Sequence, residues 1–224
     1  MQLATTLVGL AGMVGATPLS DGISYTSTLW AKAFVLVANV TDLSRDLNPS
    51  IHLQMLTGVH DSAGCQVGTL TIGPGRIFYE NGTDDAISVI SDSNGNYPSS
   101  LILRPTENDP HGGDYLEAVG LTFGNAENGI GIRPADQTPW PELYTPNNGI
   151  FAACDEAGPE PGHPLHPVLF ARFTDSQQIP ISCAPITLLA QCATLQKVPK
   201  GAPYNHDYVR SIRCYENASV VDWN

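Results

Sequence analysis

The residues of this sequence best equipped for chemistry are its five cysteines, a His-Pro-Leu-His pair and a few carboxylates beside apolar runs. Cys154, Cys183, Cys192 and Cys214 crowd into the C-terminal third, whereas Cys65 stands alone far upstream. In an oxidising compartment the four later residues are the disulfide candidates, with several connectivities open, and Cys65 is the candidate free thiol. Cys65 is expected to be buried as a small hydrophobe. A nucleophilic role would need a base and an electropositive site, and His60 is the only imidazole nearby in the chain.

His163-Pro-Leu-His166-Pro, preceded by Asp155, Glu156 and Glu160, has ligand types suited to zinc or copper. The interleaved prolines forbid the helical turn that puts two histidines on one face, so solvated loop histidines are the expectation. No metal or cofactor is assigned. Asp92-Ser-Asn-Gly-Asn96 starts like a calcium loop, but Tyr97 stands at the glycine position and Leu103 where a bidentate Glu is needed. Glu80, Asp114 and Glu117 lie in or beside strand-like segments and are the carboxylates that could pair for glycoside hydrolysis. Trp140, Tyr144 and Tyr97 could offer ring faces to sugars, or pin loops onto the core. No G-x-S-x-G elbow, phosphate-binding glycine loop or H-E-x-x-H helix occurs. Catalytic residues are therefore left unassigned.

Compartment is easier to read than chemistry. Leu3 to Val14 form an apolar run shorter than the about 20 residues a bilayer core requires, and Val14-Gly15-Ala16 suits a signal peptidase. Residues 1–16 are expected to be a signal peptide, although the leader has no Lys or Arg; the alternative is a buried N-terminal element. Asn39-Val-Thr41, Asn81-Gly-Thr83 and Asn217-Ala-Ser219 are N-glycosylation acceptors. The C-terminal segment shows neither an anchor tail nor a retention tetrapeptide. A net charge of −12 disfavours nucleic acid and anionic membrane surfaces, and no later stretch is apolar enough for a membrane span.

The elements that must position these groups read as short strands punctuated by Gly, Pro, Asn and Asp. Ala33–Val40 is the clearest, with Ser50–Leu56, Gln66–Ile72, Arg76–Tyr79, Ala86–Ile90, Leu101–Arg104, Tyr115–Phe123, Gly149–Ala153, Val168–Phe173 and Tyr208–Tyr215 as further candidates. Glu80–Thr83 reads as a turn. Ala184–Gln196 is compatible with either helix or strand. Residues 134–167 are rich in Pro and Gly and read as a long loop with at most one short strand through Phe151. The expected fold is mainly β: a single-domain antiparallel β-sandwich or barrel-like fold over 17–224, with at most one or two short helices.

Phe34-Val-Leu-Val-Ala-Asn-Val-Thr-Asp42, His60-Asp-Ser-Ala-Gly64, Arg76-Ile-Phe-Tyr-Glu-Asn-Gly82 and Gly149-Ile-Phe-Ala-Ala-Cys154 carry a resemblance. Together they resemble small secreted proteins of filamentous ascomycete fungi that carry a domain of unknown function. The resemblance implies a secreted protein at the cell wall or in the medium and brings no catalytic residues with it. The functional expectation is a non-enzymatic extracellular or cell-wall-associated binding module, whose partner is a wall polysaccharide or a host surface component. The alternative is a secreted glycan-active hydrolase with paired carboxylates.

Overall fold

The structure, a computed structural model, describes residues 27–83, 86–92, 97–105, 115–124, 127–134, 137, 140–147, 149–156, 165–172 and 179–221. The expected signal peptide, Asp114 and His163 lie outside them.

Fourteen strands are described: β1 (Thr28–Ala31), β2 (Ala33–Val40), β3 (Met55–Ser62), β4 (Cys65–Thr71), β5 (Tyr79–Thr83), β6 (Ala86–Ser91), β7 (Ser99–Pro105), β8 (Leu116–Phe123), β9 (Gly131–Ile132), β10 (Leu143–Tyr144), β11 (Gly149–Cys154), β12 (Val168–Arg172), β13 (Cys183–Ala193) and β14 (Ile212–Tyr215). The described helical segments are two 3₁₀ turns, Leu43–Arg45 and Ala218–Val220. The fold is mainly β, as the turn-punctuated sequence implies.

Following hydrogen-bonded neighbours from β13 through β2, β3, β4, β8, β12 and β11 leads back to β13. These strands close into a barrel, which leaves no free edge around the ring. β7, β6 and β5 continue outward from β8, and β14 and β1 continue from β13. β13–β14 is the parallel pair among otherwise antiparallel ones.

Alternation sorts the side chains of β2. Phe34, Leu36, Ala38 and Val40 enter the main core with Leu188 and Ala190 of β13 and Phe170 of β12. Val35 and Val37 point the other way and pack with Leu189, Tyr215, Ala218 and Val221. The strand is therefore buried on both faces, which explains its near-continuous apolar run. Ala184–Gln196, compatible with either helix or strand by sequence, is strand through Ala193, because both of its edges find partners.

Several boundaries differ from the sequence reading. Ser50–Gln54 is irregular, with Leu53 at φ 67°, so the third strand starts at Met55 and runs on to Ser62. Asp46 organises that bend, its Oδ1 accepting from the N–H groups of Leu47 and Ile51. Glu80–Thr83 is not a turn but part of β5, paired with β6 at Asn81↔Ser88. The Pro-rich stretch contains β10 in addition to the strand through Phe151. The last strand is confined to Ile212–Tyr215.

Disulfides join Cys154 to Cys183, directly opposite each other on β11 and β13, and Cys192 to Cys214, on β13 and β14. Both are anchored on β13, one at each end. Cys65 is the free cysteine. It is half-buried rather than buried, with Sγ 3.6 Å from Thr122 Oγ1, because it opens an exposed hairpin. His60 stands opposite Gln66 in register, and Cys65 is opposite Ser62.

Closing a loop of 22 residues restricts the unfolded chain enough for the second bridge to contribute about 3 kcal/mol. The paired variant Cys192→Ala/Cys214→Ala is expected to lose about that much in urea denaturation followed by tryptophan fluorescence. An unchanged midpoint would show that β14 is held by its neighbours alone.

Candidate functional site

The Pro-rich segment folds back over the barrel as a strap. β9 and β10 pair as a two-stranded ribbon, with Leu143 opposite Ile132 and Tyr144 opposite Gly131. Ile130, Ile132 and Leu143 enter the main core, so apolar burial holds the ribbon down. Ahead of it, Pro141 C=O accepts from Ala190 N–H at 2.8 Å, and Glu142 forms a bridge with Leu189. The strap is thereby stitched to β13.

Glu142 and Arg133 face each other across the ribbon. Arg133 Nε lies 2.7 Å from Glu142 Oε1, and the guanidinium sits 5.7 Å from the centroid of the Tyr144 ring. Two clefts flank this group. One, of about 600 Å³, is lined by Arg133, Tyr144, Asn147, Ile150, Phe151 and Thr187, among others. The other, of about 780 Å³, is lined by Asn39, Asp42, Leu43, His52 and Trp140, among others. Thr41, Glu142 and Thr187 line both. The two clefts are therefore adjacent and share part of their lining.

Trp140, lining one cleft, is 44% exposed, and Tyr144, lining the other, is half-buried. Tyr97, also exposed, lines neither cleft. Of the three rings the sequence offers, Trp140 and Tyr144 thus line the clefts, and Tyr97 does not. Arg133, Thr41 and Thr187 carry no local sequence signal and are brought there only by strand pairing.

Of the three candidate carboxylates, Asp114 lies outside the described residues, and Glu80 and Glu117 line neither cleft. Glu80, 3% exposed, supports the strap from below: its Oε1 accepts from Ile132 N–H, and Arg210 Nε lies 3.9 Å from its Oε2. A Cβ at position 131 would come within 2.9 Å of Glu80 Oε1, which accounts for Gly131. Glu117, on β8, pairs instead with Arg172 at 3.5 Å, away from both clefts. Burial raises its pKa, Arg172 lowers it and Glu127 raises it further. Asp42 and Glu142 do line a common cleft, but each is engaged otherwise. Asp42 caps a 3₁₀ turn, and the Ser44 hydroxyl, 2.6 Å from its Oδ1, holds its pKa below the usual value. Glu142 is committed to Arg133. A glycosidase acid must be held protonated, and the lowered pKa of Asp42 runs the other way.

The described parts of the histidine and calcium patterns make structural contacts, and His166 is buried where the sequence reading expects a solvated loop histidine. His166 is 3% exposed; its N–H donates to Thr69 Oγ1 and its C=O accepts from Leu70 N–H. Its Nδ1 lies 4.0 Å from Asp155 Oδ1. Asp92 accepts from the Tyr79 hydroxyl at 2.9 Å and lies 2.9 Å from His206 Nε2. The remaining residues of that calcium-like stretch, 93–96, lie outside the described part. Among the described residues, no three His, Cys, Asp or Glu side chains group to hold a metal ion. None of the described helices is long and apolar enough to cross a membrane.

Residues 31–192 match the domain of unknown function DUF7907, and the chain belongs to that family. The match spans the whole ring of the barrel and ends at Cys192, before β14. The chain is also similar to the antigenic protein SchS34 of Stachybotrys chartarum, at 30% identity over 215 residues, covering 90% of this chain and 93% of that protein. No solved structure matches.

Desolvation raises the pKa of Glu80 above its ordinary 4.5, with Ile132 N–H and Arg210 opposing it more weakly. Between the unfolded value and the raised folded one, the folded state holds the extra proton, so stability falls as pH rises through that window. From about pH 4 to about pH 7, wild type is expected to lose melting temperature relative to Glu80→Gln, which keeps the acceptor for Ile132. A constant difference in paired thermal melts would mean that the Arg210 pairing cancels the burial cost.

Proposed function

We propose that this protein is a secreted, extracellular or cell-wall-associated binding module that works without chemistry, and that the cleft pair around the strap is its binding face. The observation that carries the reading is the strap itself: Trp140 lining one cleft and Tyr144 the other, beside an Arg133–Glu142 ion pair, with Thr41 and Thr187 lining both. Aromatic faces with polar groups alongside suit polyhydroxylated rings, which present C–H faces and hydroxyl edges together. The partner class is accordingly a neutral polysaccharide of the wall, or a glycan on a host surface. A net charge of −12 weighs against polyanions.

Two disulfides support export to an oxidising compartment, together with the leader-like residues 1–16 and the three sequons. The relative described as antigenic agrees with a protein that meets a host. Asp42, whose pKa the Ser44 hydroxyl lowers, and Glu142, paired with Arg133, are both already engaged, which weighs against their acting together in glycosidic cleavage.

Depletion assays on chitin, β-glucan and whole wall preparations test the proposal. Wild-type protein, deglycosylated, is expected to be retained, and Trp140→Ala to weaken retention by about tenfold or more at unchanged melting temperature. No retention on any preparation would remove the wall-binding reading. Release of soluble sugar that stops in Asp42→Asn or Glu142→Gln would replace it with a hydrolase.

A further inference from the structure

The three sequons are alike in sequence but stand in different surroundings. Asn39 lies near the end of β2, 4% exposed, opposite Thr187 in the β2–β13 ladder. Its Nδ2 donates to Thr187 Oγ1 at 3.5 Å, and its Oδ1 is buried with no partner. It shares a face with Val35 and Val37, the face that Leu189, Tyr215 and Val221 cover. Asn217 is exposed and caps the last 3₁₀ turn. Its Oδ1 accepts from Ser219 N–H at 3.0 Å and Ser219 Oγ at 2.8 Å. Both bonds use the oxygen, so a substituent on Nδ2 displaces neither. Asn81 is intermediate, half-buried on β5.

We infer that the folded, exported protein carries an N-glycan at Asn217 and none at Asn39. In the transfer, Nδ2 forms a bond to the anomeric carbon of a lipid-pyrophosphate-linked oligosaccharide. The bond from that carbon to the pyrophosphate breaks, the lipid pyrophosphate leaves, and Nδ2 gives up one proton to the base that assists it. The reaction precedes folding, so its consequence at Asn39 falls on the fold. A hydrated sugar fixed to Nδ2 would have to press into the cleft that Asn39 and Thr187 line and displace the Nδ2–Thr187 hydrogen bond, at a carboxamide with almost no access to solvent. Chains modified there cannot complete the ladder, and they do not join the exported pool. At Asn217 the sugar projects from a surface turn, and the cap remains intact.

A bare Asn39 also leaves the Trp140 cleft open, but the inference does not depend on what that cleft binds. It rests on the export argued above.

The test is expression of the full chain in a filamentous fungal host, with recovery from the medium. Digestion with a peptide N-glycosidase in heavy-oxygen water, then peptide mass spectrometry, reads each site as labelled Asp or unmodified Asn. Asn217 is expected as labelled Asp and Asn39 as Asn. In mobility assays Ser219→Ala should lose the equivalent of one glycan, and Thr41→Ala none. An occupied Asn39 or a bare Asn217 in exported protein would overturn the inference while export stands. Protein retained in the cell with its leader uncleaved would overturn the export reading, and this inference with it.

Discussion

Strand β13 is the member on which the rest of the structure depends. One edge pairs with β2 over eight successive positions, from Ile186↔Val40 to Ala193↔Ala33. The other edge is shared, with β11 along its first part and β14 near its end. Both disulfides start from it, and the strap hydrogen-bonds to it at Ala190. A strand with partners on both edges and apolar contacts on both faces has little freedom to move. The proposed binding face is therefore anchored to this rigid element through Thr187 itself, Asn39 of β2, and Pro141 and Glu142 of the strap.

That arrangement explains how an irregular, Pro-rich segment can carry an ordered site. Prolines remove donors and cannot build a ladder of their own, so the strap borrows order from three anchors. Ile130, Ile132 and Leu143 are buried below it, Pro141 is tied to β13, and Glu80 accepts from Ile132 N–H. The buried carboxylate is the expensive anchor, since desolvation opposes its ionisation and Arg210 compensates from 3.9 Å. Its place under Gly131 shows why a residue beside apolar strand positions is acidic without being catalytic.

Much of the fold was legible because β2 and its neighbours announce themselves: β-branched runs, turns of Gly, Pro and Asn, and cysteines crowded at one end. β13 was ambiguous for a physical reason. Leu188, Leu189, Ala190 and Gln191 favour helix locally, and only pairing on two edges, which is non-local, decides for strand. Barrel closure was illegible for the same reason, since contacts such as Thr69↔Pro167 join segments far apart in the chain. At the candidate site, Trp140 and Tyr144 stood out as aromatics, as did Tyr97, which lies elsewhere. Arg133, Thr41 and Thr187 did not, because ordinary residue types become a site only when strand register places them side by side. Asp92 and His166 carried ligand chemistry in sequence, yet the fold uses Asp92 as a hydrogen-bonded support and buries the His166 ring, pairing only its backbone with β4.

The central claim is that the strap, and not the acidic residues scattered over the barrel, meets the partner. Chemical-shift perturbation with soluble oligosaccharides of chitin and β-glucan tests it most directly, on isotope-labelled protein with assigned amide and indole resonances. The account predicts shifts concentrated at Trp140, Glu142, Tyr144 and Thr187, with the oligosaccharide recovered intact. Shifts centred on Glu117 and Arg172, or cleavage of the added sugar during the titration, would contradict it.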